Sequence, residues 1–273
     1  MKFSDKLNAS AKARNSLACV GLDPDHRKLP TQFKGQKLSQ FIFNKAIIDA
    51  TADLVLAYKP QAAFYEALGA DGVAALKATC DYLRTQHPDI PIILDAKRGD
   101  IGSTNDGYIE YVFDYLGVDA LTLHPYLGKE SLTAFLAQDQ KGLIILCRTS
   151  NPGAGEFQDL TIDGRPLYQI VAKHVVDDWS KQGDCLMVVG ATYPKEMAEI
   201  RAMAPEMWFL VPGIGAQGGD LEATLNNGLR KDKAGLIISS SRGIIFASSG
   251  ADFAKAARSE TQKLRDDINK LRR

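Results

Sequence analysis

The sequence predicts an α/β fold, a single (β/α)8 TIM barrel, on three observations. Eight short apolar runs recur along the 273 residues, helical patterns separate them, and no Pro/Ser-rich linker or shift of composition marks a domain boundary. A barrel of eight strand–helix units takes roughly 250 residues, so the whole chain, 1–273, reads as one domain. An open doubly wound sheet is the competitor. It usually carries a Gly-rich turn after its first strand, and GLDPDH is no such turn.

The runs are Leu17–Asp23, Leu54–Pro60, Ile92–Lys97, Ala120–Tyr126, Leu143–Ser150, Cys185–Ala191, Trp208–Ile214 and Gly235–Arg242. Their wealth of Val, Ile and Leu is what parallel strands buried on both faces require. Leu38–Leu54 spaces Leu38, Phe41, Ile42, Ile48 and Leu54 close to a 3.6-residue period and reads as a helix. Phe64–Thr85, Leu167–Trp179 and Glu196–Met203 read the same way. At the end of the chain, Phe253, Ala257, Leu264, Ile268 and Leu271 recur among charges, which predicts a last helix at about 251–271 with a solvated face. Residues 151–164, NPGAGEFQDLTIDG, are long for a barrel loop and show little helical pattern. Loops of that length are usually functional lids or disordered segments.

Charge narrows the partners. Lys+Arg and Asp+Glu both number 33, a formal net of zero, whereas a nucleic-acid binder needs a basic surplus to neutralise phosphates. No apolar run approaches the ~18–20 residues of a membrane span, and MKFSDKLNASAKARN lacks the apolar core of a secretory signal. Cys19, Cys80, Cys147 and Cys185 are far apart with no CxxC pair, which favours reduced core thiols and a cytoplasmic location over disulfides or a metal site. Of the four histidines only His124 falls at a strand end; none has ligand spacing, and His124 reads as structural. No HExxH, Walker A or GxSxG segment is present.

Barrel chemistry sits at the C-terminal ends of the strands. Those ends carry Asp23, Lys59, Asp95, Lys97, His124, Ser150, Gly213 and Arg242. Ionisable groups beside buried apolar strands are costly unless paired. The densest cluster is ILDAKRGDIGST: Asp95 and Lys97, two apart, should point to one side of the strand, with Asp100 in the loop and Thr104 opening the next helix. Lys59 joins them if strand two lies beside strand three. Two segments after the seventh and eighth runs, VPGIGAQGGD and SSSRGII, suit an anion. Glycines 213, 215, 218 and 219 let backbone N–H groups approach closely, and Arg242 and Gly243 precede a helix start, where barrels commonly bind phosphate.

Taken together, GLD, YKP, DAKRGDIGST, RTSNPGA, VPGIGAQGGD and SSSRGI closely resemble the orotidine 5′-phosphate decarboxylase family, in its longer-chained bacterial branch, over about residues 16–250. The resemblance implies a carboxy-lyase of pyrimidine biosynthesis that converts orotidine 5′-monophosphate to UMP without metal or other cofactor. It makes Lys97 the proton donor to C6, places Asp95 beside the reacting carboxylate, and has Lys59 complete a Lys-Asp-Lys-Asp array while touching ribose. Asp23 would bind ribose hydroxyls, Ser150 the pyrimidine edge, and Gln217 would close over the ligand. Arg242 and Gly243 would hold the phosphate. Asp100 and Thr104 match residues that reach into a neighbouring subunit's site, so a homodimer is implied.

The chemistry is physically coherent. Loss of carbon dioxide from C6 leaves an in-plane carbanion that cannot delocalise into the ring, so stabilisation must be electrostatic. Two unit charges ~4 Å apart interact by about 4 kcal/mol at an effective dielectric near 20. Enzymes lower barriers by ~8–23 kcal/mol, so one ammonium is insufficient, and remote binding of phosphate and ribose must supply much of the rest. A Mg²⁺-dependent keto-sugar-phosphate decarboxylase of the same superfamily is the alternative, since the DxKxxD pattern is shared; a silent phosphate-ligand binder is a third reading, opposed by the intact charged set.

Overall fold

The computed structural model describes residues 1–215 and 218–272. Among them, eight parallel strands form one sheet: β1 (Ala18–Leu22), β2 (Ala57–Pro60), β3 (Ile93–Arg98), β4 (Ala120–Leu123), β5 (Gly142–Arg148), β6 (Asp184–Val189), β7 (Phe209–Val211) and β8 (Leu236–Ser240). Their order is β2-β1-β8-β7-β6-β5-β4-β3, and bridges from Tyr58 to Ile92 and from Gln61 to Asp95 join the two end strands and close the barrel. Each apolar run carries one strand. β1, β2 and β4 are buried along their whole length, as expected where side chains fill a barrel on one face and meet helices on the other.

The long helices are α1 (Phe3–Arg14), α2 (Ser39–Thr51), α3 (Gly69–Gln86), α4 (Ser103–Ile109), α5 (Gly128–Leu136), α6 (Leu167–Asp177), α7 (Pro194–Met203), α8 (Leu221–Gly228) and α9 (Phe253–Leu271). Two segments differ from the sequence expectation. The helical pattern over 64–85 is split into Ala62–Glu66 and α3, because Gly69 takes φ +57°, a left-handed value that interrupts a right-handed helix. The 151–164 segment is more ordered than a plain loop: it holds a turn of helix at Gly155–Gln158 and a hairpin pairing Thr161–Ile162 with Arg165–Pro166.

Opposite ends of the barrel are built differently. α1 lies across the N-terminal ends of the strands, burying Phe3 and Leu7, each burial contributing about 1.5–3 kcal/mol. It is tied down by Ser10 Oγ donating to Leu56 O at 2.7 Å, by the Ser4 N–H donating to Asp184 Oδ2 at 2.7 Å, and by a Lys6–Asp119 ion pair at 2.9 Å. Nearby, Arg201 is buried without a carboxylate. It donates instead to the carbonyls of Ala204, Met207, Gly228 and Gly235 and stacks on Phe209 at 3.7 Å. At the C-terminal end, the Phe43 ring stacks on Phe253 at 5.2 Å and Phe246 at 5.6 Å. That cluster pins the start of α9 and the segment after β8 to α2, holding the rim on which Arg242 sits.

Candidate active site

A cavity of about 950 Å³ opens at the C-terminal ends of the strands, lined by Asp23, Lys59, Asp95, Lys97, Ser150, Gly213, Arg242 and Gly243 among others. Eight of the residues singled out from sequence thus converge from six different strand ends. The floor carries the charges. β2 pairs with β1 so that Lys59 lies opposite Gly21, and the buried Lys59 ammonium donates to Asp95 Oδ2 at 3.1 Å. Lys97 Nζ donates to the other oxygen, Oδ1, at 2.7 Å. One carboxylate therefore bridges two ammoniums, one buried and one half-exposed.

Burial alone would raise the Asp95 carboxyl, but Lys59 and Lys97 overcome it and hold Asp95 well below the usual carboxylate range. Burial likewise would depress Lys59; Asp95 and Asp23 overcome it and hold the ammonium above its ordinary value. Both groups are charged at neutral pH. Asp23 lies beside them with one buried oxygen, Oδ1, that has no hydrogen-bond partner among the described residues. A buried, unsatisfied carboxylate oxygen facing a cavity calls for a donor such as a ligand hydroxyl.

Asp95 and Lys97 meet by a different route from the one expected. Regular alternation would have placed them on one side; instead the β3–β4 register shifts between Leu94 and Arg98, and Lys97 takes φ +49°. The bulge re-aims the lysine toward its neighbour.

The opposite wall suits an anion. Gly213, after β7, has φ +103°, open to glycine without strain, and Arg242 and Gly243 are exposed at the rim. Ser150 is seated by a close approach: a Cβ at Gly190 would lie 2.7 Å from the Ser150 backbone, so only glycine leaves β6 room to pack there. Gln217 lies outside the described residues. Asp100 and Thr104 are not among the residues lining this cavity. Asn105 pins the Asp100 loop outside it, accepting the Asp100 N–H at 2.9 Å and donating to the Asp100 and Ser131 carbonyls, both at 2.5 Å. Thr104 is exposed, and so are Ile101, Tyr126 and Leu127 near it. His124 faces its own strand neighbour, with Nε2 2.9 Å from Gly99 O.

Sequence reading missed Gln61, Thr122, Asn151 and Gln158, which also line the cavity. Gln158 latches the 151–166 segment to the end of β5: its Oε1 accepts the Thr149 N–H at 2.9 Å and Arg148 Nη1 at 3.2 Å, and its Nε2 donates to Thr149 Oγ1 at 2.9 Å. A glutamine in an exposed-looking loop carries no sequence signal of this. Thr122 did carry one, as a lone hydroxyl inside an apolar strand. Among the described residues no cluster of three His, Cys, Asp or Glu side chains is arranged to hold a metal ion, and no helix is long and apolar enough to cross a membrane.

With this geometry in view, the likenesses to known proteins are informative. Residues 16–257 match the family model described as "Orotidine 5′-phosphate decarboxylase / HUMPS family". Proteins named orotidine 5′-phosphate decarboxylase from Cellvibrio japonicus and Azoarcus sp. are 52% and 48% identical, in each case over all of both chains. The solved structure of Leishmania donovani OMP decarboxylase superposes with a TM-score of 0.85 at 41% identity, covering 100% of this chain and 99% of that one. That of Leishmania donovani UMP synthase gives a TM-score of 0.88 at 41% identity, covering 99% of this chain and 56% of the other. A closed parallel barrel, a carboxylate bridging two lysines at its mouth, and full-length identity near one half lead to one conclusion: the chain belongs to the orotidine 5′-phosphate decarboxylase / HUMPS family.

Proposed function

We propose that this chain, folded as one barrel domain, removes carbon dioxide from orotidine 5′-monophosphate to give UMP, a lyase step of pyrimidine biosynthesis. The observation that carries the reading is the Asp95 carboxylate shared by Lys59 and Lys97 on the cavity floor, facing a wall made of Gly213, Arg242 and Gly243. Relatives named for this reaction at 52% and 48% identity favour it over a keto-sugar-phosphate decarboxylase.

Phosphate binds at Arg242 and the Gly213 loop, ribose hydroxyls meet Asp23 and Lys59, and Ser150 takes the pyrimidine edge. These contacts hold C6 over Lys97, with Asp95 beside the departing carboxylate. The C6–carboxylate bond breaks, carbon dioxide leaves, the electron pair stays on C6, and the Lys97 ammonium both stabilises that pair and gives it a proton. Binding energy from the remote phosphate supports the reacting geometry.

The working unit is a homodimer. Asp100 of the partner subunit completes the Lys-Asp-Lys-Asp array on the floor. Support comes from Asp100 and Thr104 lying outside their own cavity beside exposed Ile101, Tyr126 and Leu127; apolar side chains grouped on one face mark an interface. A cytoplasmic setting accords with four free, buried cysteines, whose thiols burial pushes up to about 12.

The test is substrate choice. Purified protein in excess EDTA should bleach the ultraviolet absorbance of orotidine 5′-monophosphate and form UMP. Failure to do so, with turnover of a keto-sugar phosphate once Mg²⁺ is added, would replace this reading with the alternative.

A further inference from the structure

β4 is an apolar, buried strand with one hydroxyl in it, that of Thr122, which is 1% exposed. A hydroxyl offers one donor and two acceptor lone pairs. All three are engaged by one short stretch of β3: Oγ1 accepts the N–H of Ala96 at 3.0 Å and of Lys97 at 2.9 Å, and donates to Asp95 Oδ1 at 3.0 Å. Successive N–H groups of a regular strand point to opposite sides. Here two in succession point to a single oxygen, at the place where the β3–β4 register shifts and Lys97 takes φ +49°. The hydroxyl thus replaces ladder partners that the bulge removes. A non-glycine residue in the left-handed region persists only where its surroundings over-determine it, and Thr122 is what holds this one.

The same atom acts on the side chains. Asp95 Oδ1, which receives the Thr122 proton, also receives the Lys97 ammonium at 2.7 Å. One hydroxyl therefore fixes both the backbone from which Lys97 departs and the carboxylate to which its tip is tethered. Thr122 borders the cavity, yet its hydroxyl has no capacity left for a ligand, so its effect runs through Lys97 and Asp95.

We infer that Thr122 is a positioning residue for the decarboxylation: its hydroxyl sets where the Lys97 ammonium is offered to C6. The inference rests on the reading given under Proposed function. A misplacement of ~1 Å can cost about a hundredfold in rate, and the phosphate and ribose contacts lie on other strands. Removing the hydroxyl should therefore act on kcat and leave binding alone.

The experiment compares Thr122→Val, which keeps the shape and loses the oxygen, with Thr122→Ser, which keeps the oxygen, reading kcat and KM for orotidine 5′-monophosphate, the Kd of UMP and the melting temperature. Thr122→Val should lose about ten- to a hundredfold in kcat, with KM and UMP affinity within about threefold of wild type; Thr122→Ser should stay within about threefold in kcat. Should Thr122→Val not fold, Thr122→Ala against Thr122→Ser makes the same comparison with smaller side chains. Wild-type kcat in the hydroxyl-free variant, a serine variant as slow as it, or a loss confined to KM and UMP affinity would each overturn the inference. Failure of the underlying reading looks different: the wild type itself would not turn over orotidine 5′-monophosphate.

Discussion

Replacing Asp95 by Asn removes the one negative charge that two lysines share, and the structure sets the size of the effect. At 3.1 and 2.7 Å, each contact corresponds to a gross attraction of about 5–6 kcal/mol at an effective dielectric of 20. The Lys97 contact is half-exposed and solvent screens it to about 1 kcal/mol or less net. Lys59 is buried, and stripping a buried charge of its partner costs about 3–5 kcal/mol. Asp23 remains nearby and offsets part of that, so about 3 kcal/mol is expected. At about 2–4 °C per kcal/mol for a domain of this size, Asp95→Asn should melt roughly 6–12 °C below wild type at pH 7. The sign of the pH dependence follows from the depressed carboxyl. Its contribution is complete above the ordinary carboxylate value near 4 and is lost as pH falls through the lower folded value. The gap in melting temperature should therefore be widest near neutrality and shrink below about pH 4. Calorimetry of both proteins at pH 7 and pH 3.5 reads this directly, and melting within 2 °C (about one kcal/mol or less) at pH 7 would refute the shared-carboxylate reasoning.

Three other expectations follow from particular contacts. Arg242→Ala removes a guanidinium from the rim and should raise KM by about ten- to a hundredfold, the worth of a charged hydrogen bond of about 1.5–3 kcal/mol; steady-state kinetics showing an unchanged KM would move the phosphate site elsewhere. Mixing Lys97→Ala with Asp100→Ala chains should restore activity through hybrid dimers, each holding one intact site, so verified hybrids without activity would place both residues in one subunit's site. Arg201→Met leaves four carbonyls without their shared donor, and urea titration should show a loss of about 3 kcal/mol with kcat unchanged, since the residue lies at the far end of the barrel.

The strands were legible because most of their positions are buried, which makes the runs around them rich in Val, Ile and Leu. The charges at their ends stood out for the same reason: Lys59 and Asp95 interrupt apolar runs that would otherwise exclude them. Packing details were less visible. α1 rests on only two large buried apolar residues, Phe3 and Leu7, with Ser10 completing its inner face, too sparse a stripe to separate from a polar leader. The break before Gly69 depends on a backbone angle, and the 64–85 pattern runs on across it. The Asp95–Lys97 contact was anticipated, but from strand alternation; the bulge that produces it, and the Thr122 hydroxyl that stabilises the bulge, appear only when β4 is laid against β3. Asp100 shows the opposite case. Its motif spacing placed it near the site, and Asn105 holds its loop outside the cavity of its own chain.

In the proposed reaction Lys97 carries the chemistry and other residues carry the binding. The most direct measurement is UMP formation from saturating orotidine 5′-monophosphate by wild type and Lys97→Ala, with the Kd of UMP determined for both. A loss of at least a hundredfold in kcat is expected, the lower end of what a proton donor contributes, with UMP still bound within about tenfold of wild type. Appreciable turnover by folded Lys97→Ala would contradict it.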